Sequence, residues 1–395
     1  MIEMEVGCEN LIEEETAVDL ESSASIYKKQ KPVNLLKLHT AKKDTYRIKE
    51  EITIPGTKES IGQVLLTDIT GRKLEVRAAQ DELLLRGELQ IFCMYLSEEG
   101  KTDWLEQSVP YEGRIECSGA TEGMYYDVQH ALEDTLADVR MDEDGEMRII
   151  GIEGTVSLRI NLYEEEELNL LEDLYSLEQK VSYQTREAVY EELLLQNQSK
   201  CKIVENLSLP ELKDDVLQIC HSSGSVQIEH VETRAEKQGG ILIEGILHVS
   251  FLYLKADDAL PFGNWQGMVP FSYLLECPDM PKDVRYQLSN RVEQISVTMT
   301  GSDSVEVKAV LDFDVFLRKE VPMQVITEVS LEETDREELG EKTGDRRVYG
   351  KSGDDLWTLA KQYMTTEESI RQINHLENGK IKPGDKLIIC KEIGM

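Results

Sequence analysis

Side chains able to do chemistry are plentiful in this chain, but their spacing matches no reaction centre. Six histidines stand at positions 39, 130, 221, 230, 248 and 375, without an HExxH or HxH pair and without an acid spaced as a partner. Seven cysteines, at 8, 93, 117, 201, 220, 277 and 390, form no CxxC and are odd in number, which suits neither a disulfide framework nor a zinc site. Glycines form neither GxGxxG nor a P-loop, and no serine lies in GxSxG. The carboxylates are so many, 77, that no two stand out as a general acid and base. MDEDGEM (141–147) has the acids of a calcium loop without its twelve-residue spacing or terminal bidentate glutamate, and reads as a hairpin turn. The expectation is no catalytic residue, no metal and no cofactor.

What the spacing does show is a framework written twice. VPYEGRIEC (109–117) returns as VPFSYLLEC (269–277), with apolar letters kept where a half-buried strand needs them. YRIKEEITIP (46–55) matches CKIVENLSLP (201–210), and TKESIGQVLL (57–66) matches LKDDVLQICH (212–221). ELLLRGELQIFCMYL (82–96) lies over GILIEGILHVSFLYL (240–254), which sets Gly87 on Gly245 and Tyr95 on Tyr253. IIGIEGTVSLRI (149–160) lies over EVKAVLDFDVFL (306–317). The offset changes only in polar, glycine-containing stretches, where loops tolerate insertion. Alternation of Leu83, Leu85, Leu89, Ile91, Cys93 and Tyr95 with Arg86, Glu88 and Gln90 has period two, the pattern of antiparallel sheets with one face inward. Cys117 and Cys277 share a place in the repeat and read as small buried apolar residues. Trp104 and Trp265 are expected at equivalent places once loops are allowed for, as packing residues.

The net charge of −34 is concentrated in the first part of the chain. From Glu341 onward 10 basic residues face 9 acidic ones, leaving 33 against 68 before it out of totals of 43 and 77. Such a surface repels nucleic-acid phosphates and anionic lipid, so the expected partner is a protein. No run of 18 apolar residues predicts a membrane-spanning segment, and the acidic start is unlike a signal peptide, so a cytoplasmic protein is expected. Residues 1–30, with eight acids before Lys28, read as an arm that is flexible or orders on a partner. Residues 31–165 and 190–325 read as two β-sandwich-like units, 166–189 as a linker or short helix, and 326–345 as a charged linker.

Beyond Arg347 the pattern changes to strand, helix, helix, strand. Leu356, Leu359, Ala360 and Tyr363 keep helical spacing, as do Ile370 and Ile373 after Thr365, Thr366, Glu367 and Glu368, a cap followed by acids. GDDLW (353–357), Leu359-Ala360, and Ile370, Asn374, Leu376, Ile381 and Gly384 resemble the LysM domain over residues 346–391. That resemblance implies a groove between two loops, carried here by Gly353, Asp354, Asp355, Leu356, Asn374, Leu376 and Ile381. In the LysM family such grooves usually bind N-acetylglucosamine-containing glycans. This sequence departs from the pattern at Asp355, where threonine is usual, and at Gly350, where a strand valine is usual.

The repeated units resemble the SPOCS domain of sporulation proteins through LSLPELKDDVLQI (207–219), the GxLxVxxLYL strand (245–254) and the VPFxxxxE strand (269–276). The expected fold is therefore mainly β, with two tandem antiparallel sandwich-like SPOCS repeats and a small βααβ LysM domain. The domain order resembles SipL-type and, more loosely, SpoVID-type spore-coat morphogenesis proteins. The resemblance implies a non-enzymatic scaffold in the mother cell, at the forespore outer surface, whose LysM module binds a coat basement protein, a SpoIVA-like ATPase. The alternative partner is a peptidoglycan or other N-acetylglucosamine glycan.

Overall fold

A computed structural model describes residues 13, 15–213, 215–235, 237, 239–255, 261–333, 346–350, 355–376 and 381–390. By spatial contact the chain divides into two units, one of residues 36–165 with 191–320 and one of residues 1–35, 166–190 and 321–395.

The larger unit carries the duplication. Its first repeat is built from β1 (Ile26–Thr53), β2 (Ile61–Ala79), β3 (Glu82–Ser97), β4 (Thr102–Glu116), β5 (Tyr125–Met141) and β6 (Met147–Ser176). Its second uses β7 (Gln179–Ser208), β8 (Val216–Arg234), β9 (Gly240–Lys255), β10 (Phe262–Glu276), β11 (Val284–Met299) and β12 (Ser304–Glu333). The sheets β2-β3-β4 and β1-β6-β5 have exact counterparts in β8-β9-β10 and β7-β12-β11. Each sheet pair encloses its own apolar core, filled in repeat 1 by Leu83, Leu89, Ile91 and Tyr95 and in repeat 2 by Ile241, Leu247, Val249 and Tyr253. The period-two alternation thus does what it predicts: one face of every central strand is removed from water.

The details that recur explain the recurring letters. Pro110 and Pro270 lie on β4 and β10, the edge strands of their sheets, where a residue without an N–H can be accommodated. Gly87 pairs with Tyr111 and Gly245 with Phe271. A Cβ at Gly87 would lie 2.5 Å from the Tyr111 ring, so the ring covers the space the glycine leaves open. At Gly245 a Cβ would come within 3.0 Å of Phe271 and would collide with the Gln227 carbonyl. Asp142 and Gly145 (φ 84°) form the hairpin turn between β5 and β6. Cys117 and Cys277 are both buried and unpaired.

The tryptophans are not equivalent. Trp104 pairs with Met94, whose counterpart Leu252 pairs with Asn264; Trp265 pairs with Phe251 and corresponds to Leu105. A one-residue offset sends the side chains to opposite faces, and Trp265 stacks on Phe251 with ring centroids 5.1 Å apart.

The smaller unit corrects the expected linkers. Residues 166–176 and 179–189 continue β6 and β7 as strand, not helix, and residues 326–333 continue β12. The start of β1 runs beside the end of β6, and the start of β7 beside the end of β12, with Gln184 bonded to Glu328 and Ser182 to Ser330. Between the two ribbons Leu171, Leu174 and Ile326 are buried with Ala17, Leu20 and Tyr183 packed on them. Because both faces of the β6 end are covered, Leu170, Leu171, Leu174 and Tyr175 are all buried and the period-two signature vanishes. Of the expected N-terminal arm, residues 26–30 belong to β1, and Ala17 O accepts from Leu171 N; residues 1–12 and 14 lie outside the described residues. So do residues 334–345 of the expected charged linker. The unit ends in β13 (Arg346–Tyr349), α1 (Leu356–Tyr363), α2 (Glu367–Ile373) and β14 (Lys386–Ile389), the βααβ order, with β13 antiparallel to β14.

Candidate functional site

The residues of the expected groove fall at the ends of α1, α2 and β14. Asp355 is the N-cap of α1: its backbone is extended and its carboxylate accepts the Thr358 N–H at 2.7 Å. That hydrogen bond is the main cause holding its pKa below the usual carboxylate value, and Lys29 Nζ at 3.8 Å adds to it. Charge at this position is thus compatible with the cap that threonine would also form. Leu356 is 6 % exposed and belongs to the module's core. The α1 helix ends at Met364 in the left-handed region (φ 54°), and Thr366 caps α2 by accepting from Ser369 N.

Asn374 acts as a strut. Its amide nitrogen donates to the carbonyls of Ile370 at 2.9 Å and Ile388 at 2.7 Å, and its oxygen accepts from Ile388 N at 2.6 Å. The side chain therefore stands where a further strand would pair with β14, tying it to the end of α2. Leu376 and Ile381 are half-buried against the core. Ile381 also explains Gly350, since a Cβ there would lie 2.7 Å from the Ile381 side chain and 2.9 Å from the Lys382 carbonyl. Gly353 and Asp354 lie outside the described residues.

A second set of contacts holds this module and was not legible in the sequence. Asp173, at the end of β6, accepts from Trp357 Nε1 at 2.8 Å, Lys361 Nζ at 2.5 Å and Tyr183 OH at 2.7 Å. Burial opposes its charge, but these bonds outweigh burial and its pKa is lowered. Tyr175 donates to the Thr365 carbonyl at 2.9 Å and meets the Trp357 ring edge-on at 5.0 Å. Trp357, 9 % exposed, is a packing residue in this arrangement. The carboxylate and the tyrosine come from the stretch whose mixed pattern concealed a strand.

Two polar clusters lie in the larger unit. His221 of β8 stacks on Phe92 of β3 at 4.2 Å, with Nε2 2.8 Å from Asp68 Oδ2 and Nδ1 3.8 Å from Glu106 Oε1. Burial alone would depress its pKa; the Asp68 hydrogen bond and the negative charges of Asp68 and Glu106 prevail, and it is raised. A cavity of about 400 Å³ is lined by Tyr126, His130, Gln196, Arg291 and Asp314 among others. There Arg291 bridges Asp312 at 2.5 Å and Asp314 at 2.8 Å, and His130 is pushed down to about 4, by burial first and then by the Arg291 charge. Composition and spacing did not mark either histidine as half-buried. Among the described residues no group of three or more His, Cys, Asp or Glu converges as a metal site, and no helix is long and apolar enough to cross a membrane.

Comparison with known families bears on this architecture. The SipL, SPOCS domain family matches residues 60–141 and 215–300, which hold β2–β5 and β8–β11 in turn, and the LysM domain family matches residues 351–389. No curated protein and no solved structure matches the chain significantly. Both matched families are non-catalytic binding domains, and together they mark a sporulation-related adaptor. The duplicated sheets and the terminal βααβ module thus match two SPOCS segments of the SipL family followed by one LysM domain, and that domain architecture is what the chain shares with known families.

Proposed function

We propose that the chain is a non-enzymatic adaptor of spore-coat assembly, working in the mother cell at the forespore outer surface, whose LysM module grips a coat basement protein, a SpoIVA-like ATPase. The observation that carries this reading is the order of two SPOCS domains and a terminal LysM domain in one chain. The geometry supports a protein over a sugar at the groove: the Asn374 amide is engaged with Ile370 and Ile388 backbone groups, so a hydroxyl-rich ligand would have to displace framework bonds. A second reading, a peptidoglycan or N-acetylglucosamine-glycan binder, is favoured by the LysM match itself.

The test uses the full chain, because α1 packs on Tyr175 and Asp173 outside the LysM match. Asp354→Ser with Asp355→Ser keeps a side-chain acceptor at the cap while removing both charges. Capture of purified basement ATPase is expected to weaken at least about tenfold, or about 1.4 kcal/mol, with an unchanged circular dichroism spectrum. Undiminished capture sinks the assignment of these residues. Chitin oligomers that shift the LysM amide resonances, with no ATPase captured by the unmodified chain, establish the glycan reading instead.

A further inference from the structure

The two repeats meet through surfaces that are not equivalent, and this leaves one of each kind without a partner. On the repeat 2 side the contact is His221, with Cys220 beside it, at the β-bulge of β8. The receiving surface in repeat 1 is the cross-strand row Asp68, Phe92 and Glu106, on the outer face of β2-β3-β4. If the repeats were related by a two-fold axis, the matching bulge of β2 would contact the matching row of repeat 2. It does not. That bulge carries Leu65 and Leu66, the counterparts of Cys220 and His221, and they are 47 % and 45 % exposed. Elsewhere the contact is equally one-sided: Tyr163 stacks on Phe316 at 4.9 Å, whereas their counterparts Glu320 and Arg159 do not meet, Glu320 pairing with Arg285. The pairing is heterologous, and such pairings propagate unless they close.

The chemistry of the two vacant surfaces agrees. Where the knob is an imidazole, the row that receives it is acid, aromatic, acid. Where the knob is Leu65 and Leu66, the corresponding row of repeat 2 is Ser223, Ser250 and Gln266, uncharged throughout. That row is bordered on the same face by half-buried Leu252 and by Met268, which is 64 % exposed. Charges appear in the receiving row only where the knob is ionisable.

We propose that a second copy of this chain docks Leu65 and Leu66 of its repeat 1 onto the outer face of β8-β9-β10 around Ser250 and Met268, so that copies add head to tail as the repeats do within one chain. The contact is uncharged while each copy carries −34, so association strengthens as salt screens the mutual repulsion.

Sedimentation velocity of the full chain over rising concentration, at low and high salt, tests this. The unmodified protein is expected to pass beyond dimer, more readily at high salt. Leu66→Asp removes the knob and Met268→Asp spoils the receiving face; each alone is expected to stay monomeric with an unchanged circular dichroism spectrum. If Leu66→Asp perturbs the spectrum, Leu65→Asp replaces it. Mixed in equal amounts, a knob variant and the Met268→Asp variant retain one working surface each and should form a dimer that grows no further. An unmodified chain that stays monomeric, a variant that still associates like it, or a mixture that stays monomeric overturns the proposal; the last result would mean a two-fold contact. None of these outcomes alters the adaptor reading, which is tested by ATPase capture.

Discussion

Repeat 1 and repeat 2 agree at positions that point inward and differ at positions that point outward. Leu83, Leu89 and Tyr95 of one core stand where Ile241, Leu247 and Tyr253 stand in the other, and both use a glycine opposite an aromatic ring on the edge strand. The outer face of β3, by contrast, buries Phe92 completely, whereas the same position on β9 is the half-buried Ser250. Close packing restricts core substitutions to residues of similar volume. An outer face is constrained only by what covers it, and in a heterologous pair the two copies are covered differently. The divergence therefore maps the contact: where the copies disagree most sharply, one of them is touching something the other is not.

The largest effect that would break this comparison is at Phe92. Phe92→Ala should cost about 3–5 kcal/mol, while Ser250→Ala at the matching position should stay within about 0.5 kcal/mol, both read from urea unfolding of the full chain. Equal costs would show that the outer faces are covered alike. Next are the shared glycines. Gly245→Ala should destabilise by about 1–3 kcal/mol, because its Cβ meets the Gln227 backbone, and Gly87→Ala should cost less, since the Tyr111 ring can shift; the reverse order in the same measurement would refute this account of the pair.

The smallest effect is pH-dependent. The folded pKa of His221 is raised, so its contribution is complete below the unfolded value of about 6.5 and is lost as pH climbs through the folded value. His221→Leu installs the repeat 1 residue and leaves Asp68 and Glu106 without their cation. It should cost about 1–2 kcal/mol under mildly acidic conditions, with the difference from the unmodified protein shrinking toward alkaline pH. A gap that widens with pH would contradict the raised value.

The groove teaches a related lesson. GDDLW and the IxxxNxL spacing identified the module because caps and core positions are local, and a helix start needs its acceptor and its first apolar residues in a fixed order. What those residues do was less legible: Asn374 could be a ligand contact or a strut, and only the position of the Ile388 backbone makes it a strut.

Sequence alone determined the duplication, the strand alternation and the βααβ tail, because each depends on periodicity or on contacts between near neighbours along a strand or helix. Tertiary structure decided that residues 166–189 are strand, that Asp173 and Tyr175 hold α1, and that His221 enters an acidic and aromatic row more than a hundred positions away. Burial on both faces erases the alternation that betrays a strand, and a charged pair formed across that distance leaves no pattern in either local stretch. Its partners are chosen by how the sheets stack, and that choice is made only when the chain has folded.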